Sequence, residues 1–303
     1  PELIKKQLKE KPWTILKNSQ GQPCYDSEVN CKFNIFSNKK VYLIGDSHMA
    51  SIMFDLKDKV VQKNYQFIPI VQPGCLYFPS FNKIDLKSKK INKNCNNIYF
   101  QKLKEILLRE KNSIIIFGGR FPLYLTKHLF DNLEGGVEDF SSDTKWKHKF
   151  ISNGKYKTIQ ESFVNEVSKI SKNNKIILIY PIPEVGWNVV IQMNKFIQNL
   201  KFPNDLNELH SVFEKSTLIT TDYKIYQERT ESSFNLLNNL VGKNIYRVYP
   251  HKLFCDKTIK SRCITHDSNN IFYVDDHHPS LEGSKMINDL IMKEIEKIEL
   301  EFK

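Results

Sequence analysis

Five short apolar runs, at residues 41–44, 67–71, 114–117, 176–180 and 246–249, constrain the fold more than any other feature of the chain. Each is rich in branched and aromatic side chains and continuous rather than alternating, the pattern of strands buried on both faces. Between them apolar residues recur at helical spacing over 50–62, 98–110, 159–172 and 226–241. A last helix is predicted over 281–298, where Ile287, Leu290, Ile291, Ile295 and Ile298 fall at helical spacing. Strands alternating with helices predict an α/β fold, three layers of α/β/α around a five-stranded parallel sheet. In such a fold ligands bind at the carboxyl ends of the strands.

The first run leads into Gly45-Asp46-Ser47-His48, and Asp275-Asp276-His277-His278-Pro279-Ser280-Leu281-Glu282-Gly283 opens the last helix. A serine hydroxyl is a weak nucleophile until an imidazole takes its proton, and that imidazole needs a carboxylate to fix its tautomer. Asp275 and His278 are three apart and can share one side of a turn, whereas only the fold can bring Ser47 to them. At a helix start, Ser47 would also lie where backbone N–H groups stabilise an oxyanion. Each piece alone has a plainer role. Gly-Asp-Ser is a common strand-to-helix turn with Asp46 or Ser47 as N-cap, and the later block could be a polar turn capped by Ser280. Their occurrence in this order, one after the first strand and one before the last helix, favours Ser47, His278 and Asp275 as nucleophile, base and orienting acid.

These blocks resemble the SGNH (GDSL-like) hydrolase superfamily, whose domain is flavodoxin-like. They are most similar to the extracytoplasmic SGNH domain fused behind acyltransferase-3 membrane proteins, which O-acetylate bacterial surface polysaccharides. In that subgroup the first block reads Gly-Asp-Ser-His, as at residues 45–48, and the fourth strand leads into a Pro-x-Pro-Glu turn, as at Pro181-Ile182-Pro183-Glu184. The last block carries two acidic residues, one intervening residue, histidine, then x-Ser-x-x-Gly, as from Asp275 to Gly283. The resemblance implies an O-acyltransferase, working through an acyl-serine on an envelope polysaccharide. It further implies an acyl donor and a saccharide acceptor as partners, and an N-terminal acyltransferase-3 membrane domain. A free-standing carbohydrate esterase and a noncatalytic carbohydrate-binding module are the alternatives on the same scaffold.

The wider superfamily has a Gly-x-Asn in its third block, whose amide serves the oxyanion; here the chain reads Gly118-Gly119-Arg120-Phe121. The expected oxyanion donors are therefore the Ser47 N–H, then Gly74, with Arg120 either a third donor or a salt bridge at a strand end. His48 either contacts substrate or caps a loop, Asp46 holds the turn, and His277 is a surface neighbour of the base. A metal reading of the histidine and aspartate pairs lacks a third ligand of recognisable spacing, so neither metal nor cofactor is expected.

The chain of 303 residues has no Gly-, Ser- or Pro-rich divider and reads as residues 1–40, a leading linker or extension, followed by one domain over 41–303. Two insertions, 122–156 and 187–223, enlarge it; the first carries Tyr124, Phe130, Phe140, Trp146 and His148, which could stack on sugars or pin the loop down. Six cysteines fall into local pairs, Cys24 with Cys31, Cys75 with Cys95 and Cys255 with Cys263. Six permit about 15 connectivities, so this pairing rests on proximity and on the resemblance. Disulfides would place the chain in an oxidising compartment, and the resemblance implies that this is the periplasm or the extracytoplasmic face of a bacterial inner membrane. The chain opens on Pro1 without an initiator Met, as a piece of something longer would. A net charge of +11 invites a nucleic-acid reading, but only five of 45 basic residues are Arg and the lysines are scattered. Solvated surface explains them better, and no nucleic acid is expected.

Overall fold

The structure, a computed structural model, describes residues 11–25, 30–140, 142–199 and 219–301. In chain order the elements are α1 (Pro12–Ile15), β1 (Lys40–Gly45), α2 (Ser47–Gln62), β2 (Gln66–Val71), β3 (Phe81–Asp85), α3 (Asn97–Arg109), β4 (Ile114–Phe117), α4 (Phe121–Thr126) and β5 (His148–Ser152). They continue with α5 (Ile159–Ile170), β6 (Lys175–Ile179), α6 (Val189–Asn199), β7 (Thr220–Asp222), α7 (Tyr223–Asn238), β8 (Ile245–Val248), α8 (His251–Phe254), β9 (Arg262–Ile264) and α9 (Leu281–Leu300).

The five apolar runs form the central sheet, ordered β2-β1-β4-β6-β8, with every neighbouring pair parallel. The reason they are continuously apolar is visible in where alternate side chains go. Val41, Leu43, Ile114, Ile116, Ile177 and Ile179 enter one core with Ile52 and Leu56 of α2 and Ile287, Ile291 and Ile295 of α9. Tyr42, Ile44, Ile115, Phe117, Ile176 and Leu178 enter the other, with Phe100 and Leu103 of α3, Phe163 and Val167 of α5, and Leu236 and Leu237 of α7. Each such side chain contributes about 1.5–3 kcal/mol on burial. Five helix starts are set by side-chain caps, Asp46, Asn96, Thr158, Asp222 and Ser280, each accepting a backbone N–H from the first turn.

From β1 the chain moves outward to β2 and then crosses to β4 on the opposite side of β1. The carboxyl ends of β1 and β4 therefore flank the point where strand order reverses, the place where open α/β sheets bind ligands. The Gly118 N–H donates to the Ile44 carbonyl across this crevice (3.2 Å).

The described part of the leading segment packs onto the domain. Leu16, Cys24 and Cys31 are buried in the core beneath α2, and Trp13 packs against it. Of the first insertion, β5 pairs antiparallel with β3, and Trp146 stands edge-on to Tyr124 at 5.3 Å. The side chain of Phe140, and residues 200–218 of the second insertion, lie outside the described residues. No described helix is long and apolar enough to cross a membrane.

Three disulfides join Cys24 to Cys31, Cys75 to Cys95 and Cys255 to Cys263, the sequential pairing expected. The second closes the longest loop, 20 residues apart in sequence, directly after Gly74. Replacing Cys75 and Cys95 together by serine should lower unfolding free energy by about 3 kcal/mol in a urea titration. An unchanged midpoint would mean that the closed loop adds nothing to stability.

Candidate active site

Strand β1 ends at Gly45 and α2 begins at Ser47, so the single residue Asp46 turns the chain and leaves the serine at the carboxyl edge of the sheet. A side chain at Gly45 would put its Cβ 2.3 Å from the Gly118 carbonyl oxygen and 2.4 Å from Met49 Cγ. Glycine is what lets the β1 and β4 ends approach this closely. Asp46 is buried beneath the turn and organises it. Its Oδ1 accepts the His48 N–H (3.0 Å), and its Oδ2 accepts the Arg120 N–H and the Tyr124 hydroxyl (both 2.9 Å). One carboxylate thus ties the serine turn to the chain leaving β4.

The second half of the site is a turn closed by its own carboxylate. Asp275 Oδ1 accepts the backbone N–H groups of His277 (3.0 Å) and His278 (2.7 Å). Asp275 Oδ2 lies 2.7 Å from His278 Nδ1, and His278 Nε2 lies 2.9 Å from Ser47 Oγ. Burial opposes ionisation of Asp275, but the hydrogen bond from His278 and the neighbouring imidazole charges outweigh it and hold the carboxyl well below the usual range. An ionised Asp275 favours the tautomer with its proton on Nδ1, leaving the Nε2 lone pair for the Ser47 hydroxyl. The Pro-x-Pro-Glu turn clasps this loop: the N–H groups of Val185 and Gly186 donate to the Asp276 carbonyl (2.8 and 3.0 Å), and that of Val189 to the Asp275 carbonyl (3.2 Å).

Burial and the adjacent His277 charge lower the pKa of His278 below its ordinary 6.5, with Asp275 opposing them. A base that must be neutral should therefore give activity that rises with pH through a midpoint below 6.5. His277→Asn removes one of the charges that disfavour the imidazolium, so the midpoint in a pH profile of kcat/KM should move up. A shift downward would contradict this assignment.

Around these three residues the structure redistributes several roles. The Arg120 guanidinium is buried and committed: Nε donates to Glu184 Oε1 (2.6 Å), one terminal nitrogen to Glu138 Oε1 (2.7 Å), and the other to Glu138 Oε2 and Glu184. Arg229 grips the far side of Glu184 at 2.8 Å. Of the two roles left open for Arg120, the ion pair is therefore the one this geometry supports. Its side chain is occupied by carboxylates, and its backbone N–H serves Asp46. Ser47 stands at the first position of α2, where a helix N–H has no intrahelical acceptor. Gly74 (φ +64°) lies on a loop held beside the serine turn by the Gln72 N–H to the Gly45 carbonyl (2.9 Å). Lys83 Nζ donates to the Gly74 carbonyl (2.8 Å), and burial brings the Lys83 ammonium down to about 8 despite the Asp46 charge. His48 is buried at 1 % exposure with its ring 5.5 Å from that of His278. His277 is partly buried rather than on the surface, its ring 4.0 Å from that of His278.

Trp13, whose ring lies 4.8 Å from that of His278, has no signal in the sequence; it sits in the segment read as a leader. Glu138 and Lys83 were also missed as site residues, and Tyr124, singled out only as an aromatic of the first insertion, instead serves Asp46; each reaches the site only through long-range packing. Glu184 lay in view within the Pro-x-Pro-Glu turn, but its partners did not.

Chemically, the relay can move the Ser47 proton to Nε2 as Oγ attacks an acyl carbon, with the helix N-terminus facing the charge that develops. No curated protein matches the chain. Among solved structures, the periplasmic domain of a Salmonella ser. Paratyphi A lipopolysaccharide acetyltransferase aligns over 97% of this chain and 95% of its own, at 14% identity and a TM-score of 0.48. A family two carbohydrate esterase from Clostridium thermocellum, in complex with cellohexaose, aligns over 86% of this chain and 64% of its own, at 10% identity and a TM-score of 0.37. The family described as the SGNH domain fused to AT3 domains matches residues 17–293, nearly the whole chain and both halves of the serine relay, and this chain belongs to that family.

Proposed function

We propose that this chain is the acyl-transferring domain of an O-acyltransferase, most simply an O-acetyltransferase, that modifies a hydroxyl of a cell-envelope polysaccharide. The observation that carries the reading is the continuous relay from Asp275 Oδ2 through His278 to Ser47 Oγ, at 2.7 and 2.9 Å. In the first step Ser47 Oγ bonds to the donor's acyl carbon, its proton passes to His278 Nε2, and the leaving group departs with that proton. In the second step a sugar hydroxyl gives its proton to Nε2 while its oxygen takes the acyl group, and Ser47 Oγ recovers the proton as it leaves. The N–H groups of Ser47 and Gly74 hold the oxyanion in both.

Family membership supports an AT3 membrane domain as the partner that supplies the acyl group. Together with three disulfides it supports an extracytoplasmic, oxidising location. Water in place of the sugar would make the same residues an esterase, so the acceptor decides the outcome. The test is to supply p-nitrophenyl acetate with and without candidate envelope saccharides and to follow both nitrophenol release and acetyl-sugar mass. Serine-dependent acetyl-sugar supports transfer. Acetate released to water alone, with every saccharide tried, favours the esterase. Saccharide binding without serine-dependent release would identify a binding module.

A further inference from the structure

We propose that His48, His277 and His278 form a binding site for a divalent transition-metal ion of the zinc class, and that the bound ion switches off Ser47 by taking the lone pair of its base. In the sequence the histidine pair had no third ligand; the fold brings one from the first turn of α2. Donor atoms of the three imidazoles all lie within 4.8 Å of one another. Ring centroids are separated by 4.0 Å for His277 and His278, 5.4 Å for His48 and His277, and 5.5 Å for His48 and His278. Around zinc, with Zn–N of about 2.0–2.1 Å, tetrahedral nitrogens stand about 3.4 Å apart, so modest side-chain rotation closes the set.

Two further observations separate this cluster from a chance gathering of histidines. The first is orientation. His277 Nδ1 lies 2.5 Å from Asp276 Oδ1 and His278 Nδ1 lies 2.7 Å from Asp275 Oδ2. Both rings thus have one nitrogen held by a carboxylate and present the other, the carboxylate–histidine arrangement that orients metal ligands and raises their basicity. The second is His48. Its side chain is buried at 1 % exposure, yet neither ring nitrogen has a hydrogen-bond partner. A buried polar group without a partner is costly, and the acyl-transfer steps give this ring nothing to do. A metal ion would satisfy it. Once His277 has given up its proton to the solvent, three neutral imidazoles suit zinc or copper, with the fourth position left for water or the Ser47 oxygen. The local charge favours a dication, because Asp275 and Asp276 lie behind the ligands while the nearby Arg120 charge is taken up by Glu138 and Glu184.

Binding would replace the His278 Nε2···Ser47 Oγ hydrogen bond by a metal–nitrogen bond. The ion thereby competes with the serine proton, with no redox step and no change of covalent structure. Two readouts test this on the whole chain. Zinc added to wild type should abolish turnover of p-nitrophenyl acetate and a chelator should restore it, while His277→Asn should raise the half-inhibitory concentration by about tenfold or more. Independently of any activity, cobalt added to Ser47→Ala, which keeps all three histidines, should give a ligand-field absorption band that zinc displaces. His48→Asn and His277→Asn should each lose that band. A missing band in Ser47→Ala overturns the site whatever the variants do. So does inhibition or a spectrum unaltered by either substitution. Since the spectrum needs no substrate, its failure is distinguishable from a failure of the acyl-transfer reading.

Discussion

Ser47→Ala is expected to lower kcat/KM for p-nitrophenyl acetate by about 10⁴-fold or more, with the folded structure intact. The size follows from what the hydroxyl alone supplies. Without Oγ no acyl-serine forms, and the residual rate is what substrate binding and oxyanion donors give to attack by water. The expectation of an intact fold follows from what the substitution leaves in place. Asp46 still caps α2 through the His48 N–H and still holds the chain after β4 through the Arg120 N–H. The residue-47 backbone N–H also remains at the helix start. Thermal melting should therefore change little, within about 0.5 kcal/mol for a position outside the core. His278→Asn should fall as far as Ser47→Ala, and the double variant no further, because the two act as one unit. Full activity in Ser47→Ala would remove Ser47 as nucleophile and relocate the catalytic site.

Arg120→Met should destabilise the protein by about 3–5 kcal/mol in urea unfolding, more than any single surface change. Arg120 is 4 % exposed, and its guanidinium faces two carboxylates that are themselves buried, Glu138 and Glu184. Methionine fills similar volume but leaves Glu138 without its cation and Glu184 with Arg229 alone. Burial opposes ionisation of Glu184, yet the charges of Arg120 and Arg229 prevail and bring its pKa down from 4.5 to about 2. The sign of the linkage follows: this depressed carboxyl contributes stability that is fully present above about pH 4.5 and is lost as pH falls toward 2. In Arg120→Met the acid-side loss should shift to higher pH. Equal stability of variant and wild type at neutral pH would show that the cluster contributes nothing net. The cluster also joins four separate stretches: the turn after β4, the first insertion, the Pro-x-Pro-Glu turn and α7. Its loss should therefore loosen the frame behind the serine turn.

Much of this was legible in the residues. Side-chain period identifies a strand buried on both faces or a helix buried on one, because burial is decided within a few residues of chain. The five strands and the helices Ser47–Gln62, Asn97–Arg109, Ile159–Ile170, Tyr223–Asn238 and Leu281–Leu300 consequently fall within a few residues of their predicted positions. Ser47, Asp275 and His278 were recognisable for a similar reason: Asp275 must reach its own turn's N–H groups, which fixes a three-residue spacing, and Ser47 must follow a strand directly. The side chains whose roles depend on distant partners were not recognisable. Arg120 as an oxyanion donor and Arg120 as an ion pair are the same residue in the same turn; only Glu138 and Glu184 separate the two. His277 looked like a bystander because its distance to His48 does not exist in the sequence.

By itself, then, the sequence determined the layered parallel fold, the serine at the mouth of the first strand and the histidine–aspartate turn that answers it, since each of these is specified by contacts between near neighbours. Tertiary structure alone decided that Trp13 from the leading segment packs on His278, that Arg120 is enclosed by two carboxylates, and that His48 faces the histidine pair. Those outcomes depend on which strands lie side by side and how the insertions pack across the sheet, and packing between distant segments leaves no local pattern in a single chain.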